Sequence, residues 1–290
     1  MGDAREDGYR RHGSVLVTGA STGIGRACAL HLDSAGFSVL AGVRSEADFD
    51  WLRAQGSARL RPVILDITDG EQIAACAEQV RLESADGLAG LVNNAGIAVA
   101  GPLEAIPIDE FRRQIEVNLI GQVAVTQAVL PQLRQRRGSL IFISSDNGRL
   151  AAPCLAPYSA SKYAIEATAD ALRVELRPFG VRVVLIEPGA IRTPIWEKSL
   201  AAASALRESY PRDLESLYGA ISDSVEASAA KLAARGAPPE RVARTVARAL
   251  TRRRPRARYT VGSDAKLATF VARLPDRVRD RLVARASGLR

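Results

Sequence analysis

Residues 14–25 read Ser-Val-Leu-Val-Thr-Gly-Ala-Ser-Thr-Gly-Ile-Gly. A short apolar run, Ser14–Thr18, has the length and β-branched content of a buried strand. It ends in three glycines, and a helical pattern follows from about Gly23 to Ala35. Glycines at a strand-to-helix turn let the backbone approach a pyrophosphate, which then rests on the helix N-terminus. The spacing is GxxxGxG rather than the GxGxxG of the general dinucleotide fingerprint, so the turn by itself does not decide what binds.

The same alternation continues outward. Apolar runs at Phe37–Val43, Arg61–Leu65, Leu88–Asn93, Ser139–Ser144 and Val181–Glu187 predict further strands. Helical stretches at 71–84, 109–135 and 157–177 lie between them. Strands alternating with helices indicate βαβ units and a parallel sheet covered on both faces. The predicted fold is α/β, a single doubly wound Rossmann domain over 13–262, closed by a seventh strand at Arg258–Gly262. The alternation stops at 190–235, an Ala/Ser-rich helical insertion, and resumes with a helix at Pro239–Arg253. Residues 263–290 form an amphipathic helical extension that Pro275 breaks and restarts, and 1–12 is a polar, flexible arm.

Composition narrows the class of function. The 290 residues are 47% hydrophobic and 25% charged, which suits a globular chain with a full core. No apolar run reaches the roughly 18 residues a membrane span requires, and the charged start Met1–His12 is not that of a secretory leader. Cys28, Cys76 and Cys154 are far apart and odd in number, which argues against a disulfide framework or a zinc site. A reducing cytoplasm is the simplest compartment. The net charge of +8 is concentrated late: residues 235–290 hold 16 Arg/Lys against 4 Asp/Glu. No aromatic interleaving or nucleic-acid module accompanies it, so a nucleic-acid partner is not expected. The basic C terminus reads as a packed helix or lid ahead of a membrane-surface contact.

The reactive chemistry concentrates in Pro157-Tyr-Ser-Ala-Ser-Lys162. Residues four apart on a helix share a face, so Tyr158 and Lys162 come within reach of each other. An adjacent ammonium favours phenolate, and the expectation is a tyrosine pKa below its usual value of about 10. The chain holds 40 basic residues but only four lysines, so a lysine here is not a generic cation. Arginine's planar fork does not substitute for a compact ammonium.

Taken together, TGASTGIG, Asn93-Asn-Ala-Gly96, Asn118, Ser145, YSASK and Pro188-Gly189 stand in the order and spacing of the short-chain dehydrogenase/reductase family. The chain resembles its single-domain branch over about 13–195, and its broader layout looks like the retinol and hydroxysteroid dehydrogenase-like members. The resemblance implies that Tyr158 exchanges a proton with the substrate oxygen. It makes Lys162 the residue that tunes Tyr158 and binds the nicotinamide ribose. Ser145 would hold the substrate carbonyl, and Asn118 would bend its helix and anchor a water leading from the lysine. Cofactor contacts are implied for Gly19, Ser21, Thr22, Gly23, Ile24 and Gly25, and for Asp66 and Ile67 after the third strand. The same holds for Asn94, Ala95 and Gly96 after the fourth, and for Pro188, Gly189, Ile191 and Thr193 after the sixth.

Cofactor choice turns on Ala41-Gly-Val-Arg44. Val43 stands where an acid would bind the ribose 2′-hydroxyl, and Arg44 suits a 2′-phosphate. NADP(H) is favoured, with NAD(H) the alternative. The insertion 190–235, with Trp196, Tyr210 and Tyr218, is an apolar lid suited to a lipophilic alcohol or ketone. A 3-oxoacyl thioester reductase is the second reading, and a cofactor-binding scaffold without catalysis the third. Two histidines, His12 and His31, and no GxSxG elbow leave serine hydrolysis without a base, and no His/Asp/Glu cluster suggests a catalytic metal. Pairing through the helices at 109–135 and 157–177 into a homodimer or homotetramer is what the resemblance implies.

Overall fold

A computed structural model of the protein describes residues 13–208 and 210–288. The arm 1–12, with His12, lies outside the described residues. Seven strands form one all-parallel sheet in the order β3-β2-β1-β4-β5-β6-β7. They are β1 (Ser14–Val17), β2 (Ser38–Val43), β3 (Leu60–Ile64), β4 (Leu88–Asn93), β5 (Ser139–Ile143), β6 (Arg182–Pro188) and β7 (Arg258–Val261). The helices are α1 (Gly23–Ser34), α2 (Glu46–Gln55), α3 (Gly70–Glu83), α4 (Ile108–Ile115), α5 (Gly121–Arg136), α6 (Ala156–Glu175), α7 (Ile195–Glu208), α8 (Arg212–Arg235), α9 (Glu240–Thr251), α10 (Ser263–Val271) and α11 (Asp276–Ala286).

Alternate strand residues feed two separate cores, as pleating requires. Val15, Val17, Val39, Ala41 and Val43 pack beneath α1 and α9 with Leu32, Val242 and Val246. Leu16, Leu40, Leu91 and Leu140 meet Val80, Val125, Val129 and Ile165 on the opposite face. With both faces covered, the strands carry apolar residues at nearly every position.

Strand order reverses between β1 and β4, so a crevice opens beyond their C-terminal ends, where open α/β sheets bind ligands. The sequence reading passed over α2, a ten-residue helix capped when the Ser45 side chain accepts from the Asp48 N–H. The helical stretch expected over 109–135 is present as α4 and α5, joined without a break by a π-helical turn at Glu116–Ile120. The insertion at 190–235 folds as α7 and α8, and the C-terminal extension as α10 and α11 with Pro275 capping the second. Among the described residues, no helix is long and apolar enough to cross a membrane.

Candidate active site

The glycine turn is shaped by positions where a side chain has no room. Gly19 and Gly23 adopt φ of 65° and 56°, the left-handed region that glycine occupies without strain. A Cβ on Gly25 would run into the Gly19 carbonyl oxygen, and one on Gly19 would lie 2.7 Å from the Ala95 Cα. Thr18 and Asn94 lock this turn to the end of β4. The Thr18 hydroxyl oxygen accepts from the N–H groups of Asn94 (3.0 Å) and Ala95 (3.1 Å). The Asn94 amide donates to the carbonyls of Thr18 and Gly19, each at 3.0 Å. Asn94 therefore builds the turn with its side chain instead of aiming it at a ligand.

This cradle fits the dinucleotide that the sequence implies. Thr22, the N-cap of α1, makes no side-chain cap bond, and the first turn holds no acid. The leading N–H groups are left for an anion from outside the helix, as a pyrophosphate would supply. Ser21, Thr22 and Ile24 are partly exposed along this turn.

Arg44 and Asp66 stand just past the C-terminal ends of β2 and β3, where the sequence reading expects the adenosine. Asp66 Oδ1 accepts from the Thr68 N–H (2.9 Å) and hydroxyl (2.7 Å), so half of its carboxylate closes a local turn. Oδ2 lies 4.0 Å from the exposed Arg44 guanidinium. The sequence reading gave Arg44 no competing carboxylate. Asp66 is one, but at 4.0 Å from a solvent-exposed guanidinium it holds Arg44 weakly. Ile67 is buried, its carbonyl packed where only glycine fits at Gly121.

The loop after β6 closes the other side. Ala190 N–H donates to Asp264 Oδ2 at 2.6 Å, reaching the first turn of α10. A Cβ on Gly189 would collide with the same carboxylate, which explains the glycine after Pro188. Ile191 is buried and bridges to Ala237. Thr193 packs against Gly23, joining this loop to the glycine turn. Trp196, read from sequence as a possible pocket aromatic, donates its indole N–H to the Ile191 carbonyl at 2.8 Å. The Tyr218 hydroxyl donates to Glu104 at 2.6 Å, and the Tyr210 hydroxyl lies against Gly101, so both tyrosines bring the 190–235 insertion against the segment after β4.

Ser145 leaves the end of β5, and Tyr158 and Lys162 rise on the first turns of α6. The Lys162 ammonium is buried and donates to the Ile143 carbonyl at 2.8 Å. It sits 5.7 Å from the centre of the Tyr158 ring. Burial pulls its pKa down to about 8, against the opposing charge of Glu166. Tyr158 departs from expectation. Its pKa is pushed up to about 12, first by burial, then by the Asp146 charge, with a Ser145 hydrogen bond acting the other way. The lysine does not lower it here, because desolvation of the phenolate outweighs a distant ammonium that is itself desolvated.

Asn118, fully buried in the π-turn, accepts from the Ile97 N–H at 2.8 Å and donates to the Ile97 carbonyl (3.0 Å) and the Ser161 hydroxyl (3.1 Å). The helix is distorted where the resemblance places a bend, and its asparagine stitches α6 to the loop after β4. Sequence reasoning missed Thr18, Gln122, Asp146 and Asp264. Gln122 donates to the Ala95 carbonyl at 2.8 Å. Asp146 adjoins Ser145 and was visible as a neighbour, whereas Asp264, 74 residues from Ala190, carried no local signal.

A strand–glycine turn–helix, an Asn-Ser-Tyr-Lys set and a doubly wound sheet define a dinucleotide-dependent dehydrogenase fold. The chain matches the short chain dehydrogenase family over residues 13–204 and belongs to it. It is 39% identical over 274 residues to mouse retinol dehydrogenase 5, covering 92% of this chain and 86% of that one. To the NADPH-dependent 3-dehydrocapnine reductase of Ornithobacterium rhinotracheale it is 35% identical over 277 residues, covering 92% and 95%. A short chain dehydrogenase from Burkholderia cenocepacia, solved in complex with NADP, superposes with a TM-score of 0.71 at 28% identity, covering 96% and 98%.

Proposed function

We propose that this protein is an NADP(H)-preferring oxidoreductase that interconverts a lipophilic alcohol and its ketone or aldehyde. The observation carrying this reading is the convergence of Ser145, Tyr158 and Lys162 at the C-terminal end of β5. When bound, the dinucleotide supplies or accepts the hydride.

The chain's own residues hold and move the proton. In the reducing direction the Tyr158 hydroxyl donates to the carbonyl oxygen as it gains charge; in oxidation the phenolate takes the proton back. Lys162 commits one N–H to Ile143, which leaves two donors for the ribose and the phenol. Arg44, and Val43 in place of an acid, favour a 2′-phosphate, in keeping with the NADP-bound and NADPH-dependent relatives. A lipophilic substrate accords with the retinol named for the mouse relative. Three unpaired cysteines suit a reducing cytoplasm. Exposed Ile120, Tyr163 and Val174, on and beside α5 and α6, suit pairing of two copies.

A panel of retinoid, steroid and aliphatic alcohols and ketones, followed by cofactor absorbance, tests this reading. Turnover with a lipophilic member and higher kcat/KM with NADPH than NADH are expected. A clear NADH preference overturns the cofactor assignment, and preference for carrier-linked 3-oxoacyl thioesters overturns the substrate class. Tyr158→Phe should reduce kcat at least about 100-fold while cofactor affinity holds.

A further inference from the structure

Two helices, α10 and α11, follow β7 at the end of the sheet where the crevice opens. Each holds to the fold by a face of small or polar residues. On α10 these are Ala265, fully buried, and Asp264, whose carboxylate accepts from the Ala190 N–H at 2.6 Å. On α11, Arg279, Asp280, Val283 and Ala284 face a groove whose other wall is Ala151, Pro153 and Tyr163. Just past α11, the Ser287 carbonyl accepts from the Ser224 hydroxyl of α8 at 2.6 Å. The large apolar side chains lie on the opposite faces. Leu267 and Phe270 of α10, with Val278 and Leu282 of α11, are 40–63% exposed. A helix that only closed a core would turn such residues inward.

The residues around these apolar side chains are basic. Lys266, Arg273, Arg277, Arg281 and Arg285 are exposed, and none pairs with a carboxylate among the described residues. The acids of the segment are engaged elsewhere: Asp276 and Asp280 by Arg279, at 2.9 and 3.3 Å, and Asp264 by Ala190. At 3.6 residues per turn, Val278 and Leu282 share a face that Arg281 and Arg285 flank. Apolar side chains ringed by unpaired cations fit a surface with negative charge outside and hydrocarbon beneath. We propose that the outward face of α10 and α11 docks the protein on an anionic phospholipid bilayer, lying on it without spanning it. A second copy fits poorly, because a two-fold contact would set the same five cations against themselves. Docking there brings the crevice end of the sheet toward the lipid. The inference stands on these surface residues and does not depend on the reaction proposed above.

The test is co-sedimentation of the full chain with phosphatidylcholine vesicles, with and without phosphatidylglycerol, at low and high salt. Binding should require phosphatidylglycerol and weaken as salt rises. Two double variants separate the contributions. Phe270→Ser with Leu282→Ser should lower the vesicle partition coefficient at least about tenfold at both salt concentrations. Arg277→Gln with Arg281→Gln should lower it about thirtyfold at low salt and much less at high salt. All four side chains are exposed, so both variants should fold with a melting temperature within about two degrees of the wild type. Cofactor affinity in solution should be unchanged. Equal binding with and without phosphatidylglycerol, or wild-type binding by both variants, overturns the proposal. So does a dimer in light scattering that the same variants dissociate, or tighter binding to duplex DNA than to the vesicles.

Discussion

Around the glycine turn, Thr18, Asn94 and Gln122 bond to backbone groups at 2.8–3.1 Å. The α7–α8 insertion, which we propose as the lid over the substrate, is held differently: Arg207 at the end of α7 reaches Glu215 and Asp223 at 2.6 Å and Glu226 at 3.8 Å. The turn's partners are backbone atoms with one geometry, whereas the lid's are flexible carboxylates open to water. None of the residues of α7 is buried. The first arrangement suits a cofactor of fixed shape. The second suits a cover that must move aside for substrate, since such elements come from the less stable parts of a fold.

The largest effect should come from breaking the turn. Gly25→Ala places a methyl against the Gly19 carbonyl and the Asn94 amide, neither of which can yield without opening the lock to β4. The expected outcome is loss of measurable cofactor binding by fluorescence titration, or loss of soluble protein. Wild-type affinity in this variant would show that the turn is softer than its hydrogen bonds imply.

An intermediate effect is expected where α6, β6 and β7 meet. Arg258 on β7 pairs with Glu166 (3.0 Å), Asp170 (2.7 Å) and Glu187 (3.3 Å), and the two glutamates are almost fully buried. Arg258→Leu removes their closest cation and leaves Arg149 at 3.8–3.9 Å, the Thr260 hydroxyl on Glu187 and the Lys162 charge near Glu166, so it should cost about 3 kcal/mol in urea unfolding, the low end for breaking a buried pair. Burial first, and then Glu166, raise the Glu187 pKa. Glu187 therefore binds its proton more readily folded than unfolded, so its charge destabilises above the folded pKa and is relieved below it. The deficit should narrow from pH 8 toward pH 5. A pH-independent deficit would mean that lost packing, not stranded charge, is responsible.

The same contrast explains what was legible in the sequence. Strands with both faces covered are continuous apolar runs, and Leu88–Asn93 was read with its exact bounds. Glycines mark places where the backbone must pass closely, so Gly19 and Gly25 announced the turn. The π-turn left one trace, Asn118, where the resemblance implied a bend, because Glu116–Ile120 otherwise keeps helical periodicity. The Tyr158 and Lys162 positions followed from spacing, but their pKa directions did not. Those depend on burial, which a local motif does not contain. Asp264 escaped for a related reason: its partner Ala190 lies on another element.

The smallest effect belongs to the lid. Arg207→Ala removes ion pairs whose carboxylates are 36–70% exposed, where solvent and side-chain entropy offset most of the attraction. The melting temperature should fall by less than about two degrees. Substrate KM should nonetheless rise while cofactor KM stays put, because Arg207 also joins the end of α7 to the Gly219 carbonyl on α8. Loosening that joint changes how the two helices cover the crevice without touching the turn. Measuring both KM values in one preparation separates the cases. If cofactor KM rises in step with substrate KM, lid and turn behave as one body, and the contrast drawn between them fails.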